Sequence, residues 1–416
     1  MNLFDELQYR GLIKDYSNAE NIKEMLKTPQ TIYCGFDPSA ASMHMGNFVM
    51  IATLMRLQKA GHKIIAVVGG ATGMIGDPSG RSSERNLLDK KALAHNTEQI
   101  GNQLRKYLDF TDPKKGLIVN NYDWLSKLDV LEFLRRYGKY FTVNYMLAKD
   151  TVARRLETGI SFAEFSYMIL QAVDFLHLYE HYGCTIQIGG SDQWGNLVSG
   201  LDLIRKVKGP DTKVEVMTSH LLTNCAGEKF GKSLDGALFL DPKKFSPYKL
   251  YQYFINVGDD DAEKYLKVFT FLSKEMIEDI VSKHKEAPHN RLAQTRLAEE
   301  ILTIVHNKEA LKHAQTMSSA LFSGNVKDLS AADIEDLFSH ALVKVAANQK
   351  LEDVVIAVKA ASSKREAREF IRGNSISVNG ERYTDPELIV NQDYLLHHKY
   401  LIIRRGKKKY FVAEVK

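Results

Sequence analysis

Thr31-Ile32-Tyr33-Cys34-Gly35-Phe36 runs into Asp37-Pro38-Ser39, a polar turn at His44-Met45-Gly46-Asn47, an apolar stretch to Lys59, and then Lys63-Ile64-Ile65-Ala66-Val67-Val68-Gly69-Gly70. The outer runs are short, apolar and closed by glycine or proline, as strands are. The stretch from Gly46 to Lys59 has the length of a helix, so Thr31 to Gly76 reads as strand, helix, strand. Such a unit builds a parallel sheet covered on both faces, whose ligands collect at the carboxyl ends of the strands. The His44 turn lies at that edge. A helix start there offers unpaired backbone N–H groups and a partial positive charge, and Gly46 lets a base or phosphate reach the backbone, so ATP is expected at this turn. By itself the tetrapeptide fits an ordinary helix start with a solvated histidine equally well.

Working outward, Cys184-Thr185-Ile186-Gln187-Ile188-Gly189-Gly190 is a further strand ending in a glycine pair. Between them, Ser83 to Glu180 is mostly of helical period and reads as an insertion into the sheet. Ser246 to about Ala320 is again helical, and Asp328 to Asn348 reads as a less compact connector. Leu351 to Phe370 reads as two short helices, and Ser375 to Glu381 as a strand running into the Asn379-Gly380 turn. The expected fold class is α/β: a Rossmann-like parallel sheet with a helical insertion, then an all-helical domain and a small α+β domain. The corresponding boundaries are 1–245 with the insertion at 83–180, 246–325, a linker at 326–350, and 351–416.

The chain has 416 residues, 44% hydrophobic and 26% charged, enough for a large core and several domains. Net charge is +5, and residues 351–416 carry 13 Lys and Arg against 9 Asp and Glu, so +4 of it lies in the tail. A basic tail points to a polyanionic partner. Cys34, Cys184 and Cys225 form no CxxC pair, which argues against a disulfide framework or structural zinc and fits a reducing compartment. The amino terminus has no leader-like apolar segment, and nowhere do about 18 apolar residues run together. A cytoplasmic protein without membrane anchor or bound metal is therefore expected.

Two further patterns carry chemistry. In Glu228-Lys229-Phe230-Gly231-Lys232-Ser233 two lysines flank a glycine in a polar loop. Mobile point charges of this kind suit a migrating phosphate charge, although charged glycine loops also occur on any solvated surface. In Glu164 to Leu176, Tyr167, Gln171 and Asp174 stand at i, i+4 and i+7 of an otherwise apolar helix. Their shared face needs partners inside the protein, either a bound ligand or a network of core side chains. Tyr33 and Asp77, in Gly76-Asp77-Pro78-Ser79-Gly80, would reach the same carboxyl edge of the sheet.

A strand, an HxGx helix start and a later KxxKS-type loop, here HMGN and KFGKS, resemble the class I aminoacyl-tRNA synthetases. With Gly189-Gly190-Ser191-Asp192-Gln193-Trp194-Gly195-Asn196 and the Tyr167 stripe, the whole chain resembles the bacterial-type tyrosyl-tRNA synthetases. That resemblance implies activation of L-tyrosine with ATP and Mg2+ and transfer to tRNA(Tyr). It places Tyr33 and Asp174 on the substrate phenol, Asp77, Tyr167 and Gln171 on its ammonium group, and Gln187 and Gln193 elsewhere around tyrosine, Gln193 near the carboxylate. Cys34, Gly35, Asp37, His44, Gly46, Asn47, Gly190, Asp192, Lys229 and Lys232 fall to ATP. His44, Ser39, Lys229, Lys232, Arg81 and Arg85 are expected to stabilise departing pyrophosphate. Three positions depart from the family pattern: Asn47 replaces the second histidine of HIGH, Ser39 a threonine, and Arg81 a frequent lysine.

The tail resembles a small RNA-binding module first seen in a ribosomal protein. Lys364, Arg365, Arg368 and Arg372 fall together at helical spacing, and Arg404-Arg405-Gly406-Lys407-Lys408-Lys409 adds a second cluster for RNA phosphates. The family also implies a homodimer formed through the 83–180 insertion. A tryptophanyl enzyme shares the fold, but Tyr33 and the tail argue against it. The intact HMGN, KFGKS and GGSDQWGN motifs argue against a non-catalytic RNA-structuring protein.

Overall fold

The computed structural model describes residues 1–80, 88–225, 227, 230–233, 236–338, 341–406 and 409–416, without the side chains of 232 and 233. It divides into two compact units, one of residues 1–245 with 253–301 and one of 246–252 with 302–416.

The first unit is built on strands β1 (Thr31–Phe36), β2 (Lys63–Val68), β3 (Gly116–Asn120), β4 (Cys184–Gly190) and β5 (Glu215–Ser219). They form one parallel sheet in the order β3-β2-β1-β4-β5. The chain moves outward from β1 through β2 to β3, then returns to the other side of β1 as β4. The strand order therefore reverses between β1 and β4, and a crevice opens there at the carboxyl ends. β2 has Ile64 to Val68 all buried, which is why its apolar run does not alternate. Residues 14–17 lie along the outer edge of β5: Lys14 N donates to Thr218 O at 2.8 Å and Thr218 N to Asp15 O at 2.7 Å, covering that edge.

Two strands differ from the sequence reading. β3 lies inside the stretch read as a helical insertion; it is a five-residue edge strand, only half-buried, whose signal is too short to interrupt the helical pattern. β5 reads Glu-Val-Met-Thr-Ser yet is wholly buried. Glu215 is tolerated there because it accepts from Ser17 Oγ, from Asn21 Nδ2 at 2.8 Å and from Arg205 at 3.3 Å. Residues 253–301, expected in a separate helical domain, belong to the same compact unit as the sheet. Their helices include Asp259–Phe269 and Lys274–Glu286. The lysine loop contributes the short pair β6 (Lys232–Ser233) and β7 (Gly236–Ala237).

In the second unit, β8 (Leu342–Val345), β10 (Ile376–Val378), β11 (Glu381–Arg382), β13 (Tyr400–Arg405) and β14 (Lys409–Val415) form a sheet ordered β11-β10-β13-β14-β8, beside a small pair of β9 (Gln349–Lys350) with β12 (Ile389–Val390). Helices Leu351–Ala357 and Lys364–Arg372 seat Val354, Val355, Ala367 and Ile371 against Ile376, Leu401 and Ile403. Asn379 and Gly380 have φ of 49° and 89°, the left-handed pair that an Asn-Gly hairpin turn requires. The stretch 326–350 is not a plain linker: helix Ala331–Phe338 precedes β8, which pairs in parallel with β14.

Candidate active site

At the β1/β4 crevice lies a cavity of about 760 Å3. Its wall brings together Tyr33, Cys34, Gly35, Asp37, Ser39, His44, Gly46, Asn47, Asp77, Tyr167, Gln171, Asp174, Gly190, Asp192 and Gln193. A second cavity of about 860 Å3, lined by Trp124, His177 and His181, gathers none of these. Of the tyrosine-site residues expected from sequence, Gln187 alone is set behind the wall: it is 1% exposed on β4, and its Oε1 has no hydrogen-bond partner among the described residues. Arg81, Arg85, Lys229, Lys407, Lys408 and the side chain of Lys232 lie outside the described residues.

One end of the cavity is shaped by the helix start. His44 is the N-cap of helix Met45–Lys59, with Gly46 N donating to its Nδ1 at 3.1 Å, while His44 N donates to Asn47 Oδ1 at 3.0 Å. This is a capping box made by histidine and asparagine in place of serine and glutamate. Because Nδ1 accepts, the neutral ring carries its proton on Nε2, a donor for an incoming oxygen. Asn47 is thereby explained: its carbonyl serves the backbone, which a cationic histidine at that position cannot do. Gly46 is sterically required, since a Cβ there would lie 2.8 Å from His44 Cε1. Gly231, with φ of 104°, sits directly on this turn, its Cβ position 3.2 Å from Gly46 N.

The other end is closed and polar. Asp174 is 2% exposed, and accepts from Asn121 Nδ2 at 2.9 Å on one oxygen and from Trp124 Nε1 at 2.8 Å on the other. Burial pushes its carboxyl up to about 7, against the two hydrogen bonds that favour the charged form. Tyr33, fully buried, is pushed well above the usual phenol range, first by burial and then by Asp174. Tyr167 Oη donates to Asp37 at 2.8 Å, and Thr72 Oγ1 donates to the other Asp37 oxygen at 2.8 Å. Gln193 Nε2 donates to Asp77 at 2.5 Å, as does Ser79 N at 2.9 Å. Gln171 Oε1 is buried on the wall without a hydrogen-bond partner among the described residues. An unsatisfied buried carbonyl in a wall that also holds the carboxylates Asp37 and Asp77 suits a ligand cation such as an ammonium group. Asp192 reaches Gly190 and Gly80, whose Cβ positions would lie 2.7 Å and 3.1 Å from its carboxylate oxygens.

Asn121, Trp124 and Thr72 were not legible as site residues. Asn121 follows β3 at the carboxyl edge, so once that strand went unread its edge position did too. Thr72 follows β2 in a short 3-10 turn with no motif of its own.

On the small unit, Lys364, Arg365, Arg368, Arg372 and Lys409 are all exposed. Arg368 nevertheless makes a two-pronged pair with the buried Glu352, at 2.6 Å and 3.1 Å, and Lys364 pairs with Asp353 at 3.0 Å. The Arg368 hydrogen bonds hold Glu352 below the usual carboxylate range. Arg405 donates to Ala360 O at 2.5 Å and lies over the rings of Phe370 and Phe411, while Arg404 lies over Tyr410. Part of the expected basic surface is thus tied into the domain itself.

A family model described as "tRNA synthetases class I (W and Y)" matches residues 25–323. The chain belongs to the class I tRNA synthetases. A second model, described as "Tyrosine--tRNA ligase SYY-like C-terminal domain", matches residues 333–413 of this class I synthetase. It is 49% identical over 416 residues to "Tyrosine--tRNA ligase" of Geobacillus stearothermophilus, covering 99% of both chains. It is 50% identical, again over 99% of both, to "Tyrosine--tRNA ligase 1" of Bacillus anthracis. Among solved structures, a C-terminally truncated mitochondrial tyrosyl-tRNA synthetase of Aspergillus nidulans superposes with a TM-score of 0.69 at 31% identity, covering 77% of this chain and 94% of that one. A tryptophanyl-tRNA synthetase of Encephalitozoon cuniculi shares the fold of the class I synthetase, with a TM-score of 0.57 at 15% identity over 74% of this chain and 87% of that one.

Proposed function

We propose that this chain is a tyrosine-tRNA ligase: it joins L-tyrosine to ATP as tyrosyl-adenylate, releasing pyrophosphate, and passes the tyrosyl group to the terminal ribose of tRNA(Tyr). The observation that carries the choice of amino acid is the closed end of the cavity, whose wall holds both Tyr33 and the doubly hydrogen-bonded Asp174. A phenol placed there donates to Asp174 and accepts from Tyr33; an indole N–H could do only the first. Gln171, Asp77 and Tyr167 take the ammonium group, and Gln193 stands near the carboxylate. Cys34, Gly35, Asp37, Gly190 and Asp192 line the nucleotide's base and ribose.

No protein nucleophile is required. The tyrosine carboxylate oxygen attacks the α-phosphorus of ATP, the P–O bond to the β-phosphate breaks, and its electron pair leaves with pyrophosphate. What the chain supplies is alignment and charge stabilisation. His44 Nε2–H and the helix start point at the phosphates, and Ser39, Lys229, Lys232, Arg81 and Arg85 hold the leaving group. Mg2+ enters as part of the nucleotide, since it favours phosphate oxygens and retained waters over all-protein cages. Transfer then forms an ester between the tyrosyl carbonyl and a ribose hydroxyl and releases AMP. Charging of tRNA(Tyr) with labelled tyrosine tests the whole reading; failure to charge, or equal charging with tryptophan, overturns it.

In the same reading the helical stretch 246–325 receives the anticodon arm and residues 351–416 bind RNA, using the exposed Arg365, Arg372 and Lys409 rather than the paired Arg368. The double substitution Arg365→Glu with Arg372→Glu is expected to raise KM for tRNA(Tyr) by about 10-fold or more and to flatten its salt dependence, about one unit of slope per lost phosphate contact. Tyrosine-dependent pyrophosphate exchange should not change. Parallel loss of both activities would contradict the assignment of RNA binding to this surface.

A second copy of the chain is the proposed cover for the insertion, where Leu131 and Phe162 are 78% and 75% exposed and Val130 and Val143 are exposed beside them in sequence. We propose that these side chains form one apolar patch, the kind of surface that interfaces cover. Leu131→Asp is expected to move the sedimenting species from dimer to monomer; an unchanged dimer would place the interface elsewhere. No helix among the described residues is long and apolar enough to cross a membrane. We propose a cytoplasmic location, where the bacterial relatives' kind of translation takes place.

A further inference from the structure

The middle pair of Lys229-Phe230-Gly231-Lys232 is packed more firmly than a polar loop needs. Phe230 is buried, its ring centroid 4.8 Å from that of Tyr265, 5.3 Å from Phe269, 6.0 Å from Tyr253 and 6.2 Å from Phe254. Tyr265 and Phe269 belong to helix Asp259–Phe269, and Phe269 also stacks at 6.2 Å on Phe48, from the helix that starts at His44. The far end of helix Asp259–Phe269 is pinned as well. Arg10 donates to the carbonyls of Lys267, Thr270 and Leu272 at 3.0, 3.0 and 2.7 Å, and Arg56, from the His44 helix, donates to Thr270 O. Cations at the last carbonyls of a helix fix its end in place.

The backbone on both sides of Phe230 is held too. Phe230 N donates to Leu222 O at 2.8 Å, Leu238 N to Gly231 O at 3.0 Å, and Met45 N to Leu238 O at 2.8 Å. Gly231, meanwhile, rests on Gly46, its φ of 104° and a Cβ position 3.2 Å from Gly46 N disfavouring any side chain. One residue of the loop is thus fixed to an aromatic cluster, and its neighbour to the helix start that faces ATP.

We propose that Phe230 is a positioning residue for adenylate formation: its ring, seated among Tyr265, Phe269 and their neighbours, anchors the backbone of the loop through which the two lysines act on the leaving pyrophosphate. This rests on reading those two lysines as pyrophosphate-binding groups. A lysine is a point charge on a flexible four-carbon stem, so its value to a transition state depends on the backbone from which it hangs. Phe230 has no polar side-chain atom with which to hold a substrate. Its contribution passes through the lysines and falls on the chemical step, not on tyrosine binding.

A double-mutant cycle on the full chain tests this, pairing Phe230→Ala with Lys232→Ala and carrying Phe230→Leu as a milder variant should the alanine protein fold poorly. Phe230→Ala is expected to lower kcat for tyrosine-dependent pyrophosphate exchange by about 10- to 100-fold, the cost of misplacing charged groups, with the tyrosine KM within about 2-fold of wild type. Phe230→Leu should fall between. In the Lys232→Ala background the same change should cost several-fold less than in the wild-type chain, because only Lys229 is left to misplace and residues acting through one another are not additive. Full multiplication of the two effects, equal damage to tyrosine KM, or wild-type exchange by both Phe230 variants overturns the proposal. Lys232→Ala with unchanged exchange overturns the lysine reading and the proposal with it. Slow exchange in Lys232→Ala beside normal exchange in the Phe230 variants overturns the proposal alone.

Discussion

Asp174→Ala is expected to lower kcat/KM for tyrosine by about 10- to 150-fold while changing the ATP KM by less than about 3-fold, since a buried hydrogen bond to a charged group contributes about 1.5–3 kcal/mol, and the substitution also strands other donors. Those donors are Asn121 Nδ2 and Trp124 Nε1, both now bonded to the carboxylate. The substitution should therefore reduce folding stability as well, by a few kcal/mol, roughly one desolvation penalty for each orphaned group. Saturation binding of tyrosine and of ATP to the same protein separates the two effects; equal weakening of both would move the phenol site elsewhere. The carboxyl's position near 7 adds a signature in pH. The ionised form accepts the phenol hydrogen, so kcat/KM for tyrosine should fall as pH drops below about 7, and that limb should vanish in Asp174→Ala. Stability carries the opposite slope. The folded protein holds a proton on Asp174 that the unfolded chain, titrating near 4, has released, so this group's contribution declines as pH rises from about 4 through 7.

His44→Ala is expected to reduce kcat for adenylate formation by about 10^2- to 10^3-fold, the usual cost of deleting one preorganised donor to a developing charge, with tyrosine binding little affected. Two roles are combined in this side chain. Nδ1 caps the helix by accepting from Gly46 N, which leaves the proton of the neutral ring on Nε2. His44→Asn divides them, because an asparagine oxygen can take over the cap while nothing replaces Nε2–H at the same reach. Activity near that of His44→Ala means the Nε2–H donor matters. Activity near wild type would reduce the histidine to a helix cap and leave the phosphates to the backbone and the cationic loop.

What could be read before the fold was known follows a physical line. The βαβ unit from Thr31 to Val68 was legible because its strands are buried on both faces and so appear as uninterrupted apolar runs. The stripe of Tyr167, Gln171 and Asp174 was legible because polar residues at helical spacing are conspicuous on an otherwise apolar helix. β5 was not, since its Glu215 is made acceptable by Ser17, Asn21 and Arg205, all distant in sequence. β3 was too short and too exposed to break the surrounding helical period, and its loss concealed Asn121, the hydrogen-bond partner of Asp174. The basic helix of the tail shows the converse error. Spacing placed Lys364 and Arg368 with Arg365 and Arg372, but spacing says nothing of Glu352 and Asp353 on the neighbouring helix, which take the first two as partners. Periodicity reports which face a residue occupies. It does not report which distant group has already claimed it.

The central claim is that one closed cavity end, made by Tyr33 and Asp174, admits a phenol and directs it to the ATP-facing helix start. Amino-acid-dependent exchange of pyrophosphate into ATP, run in parallel with tyrosine, phenylalanine and tryptophan, tests it most directly. Robust exchange with tyrosine, a strong loss with phenylalanine for want of the hydroxyl and essentially none with tryptophan is the predicted result. Comparable exchange with phenylalanine or tryptophan, or none with tyrosine, would contradict it.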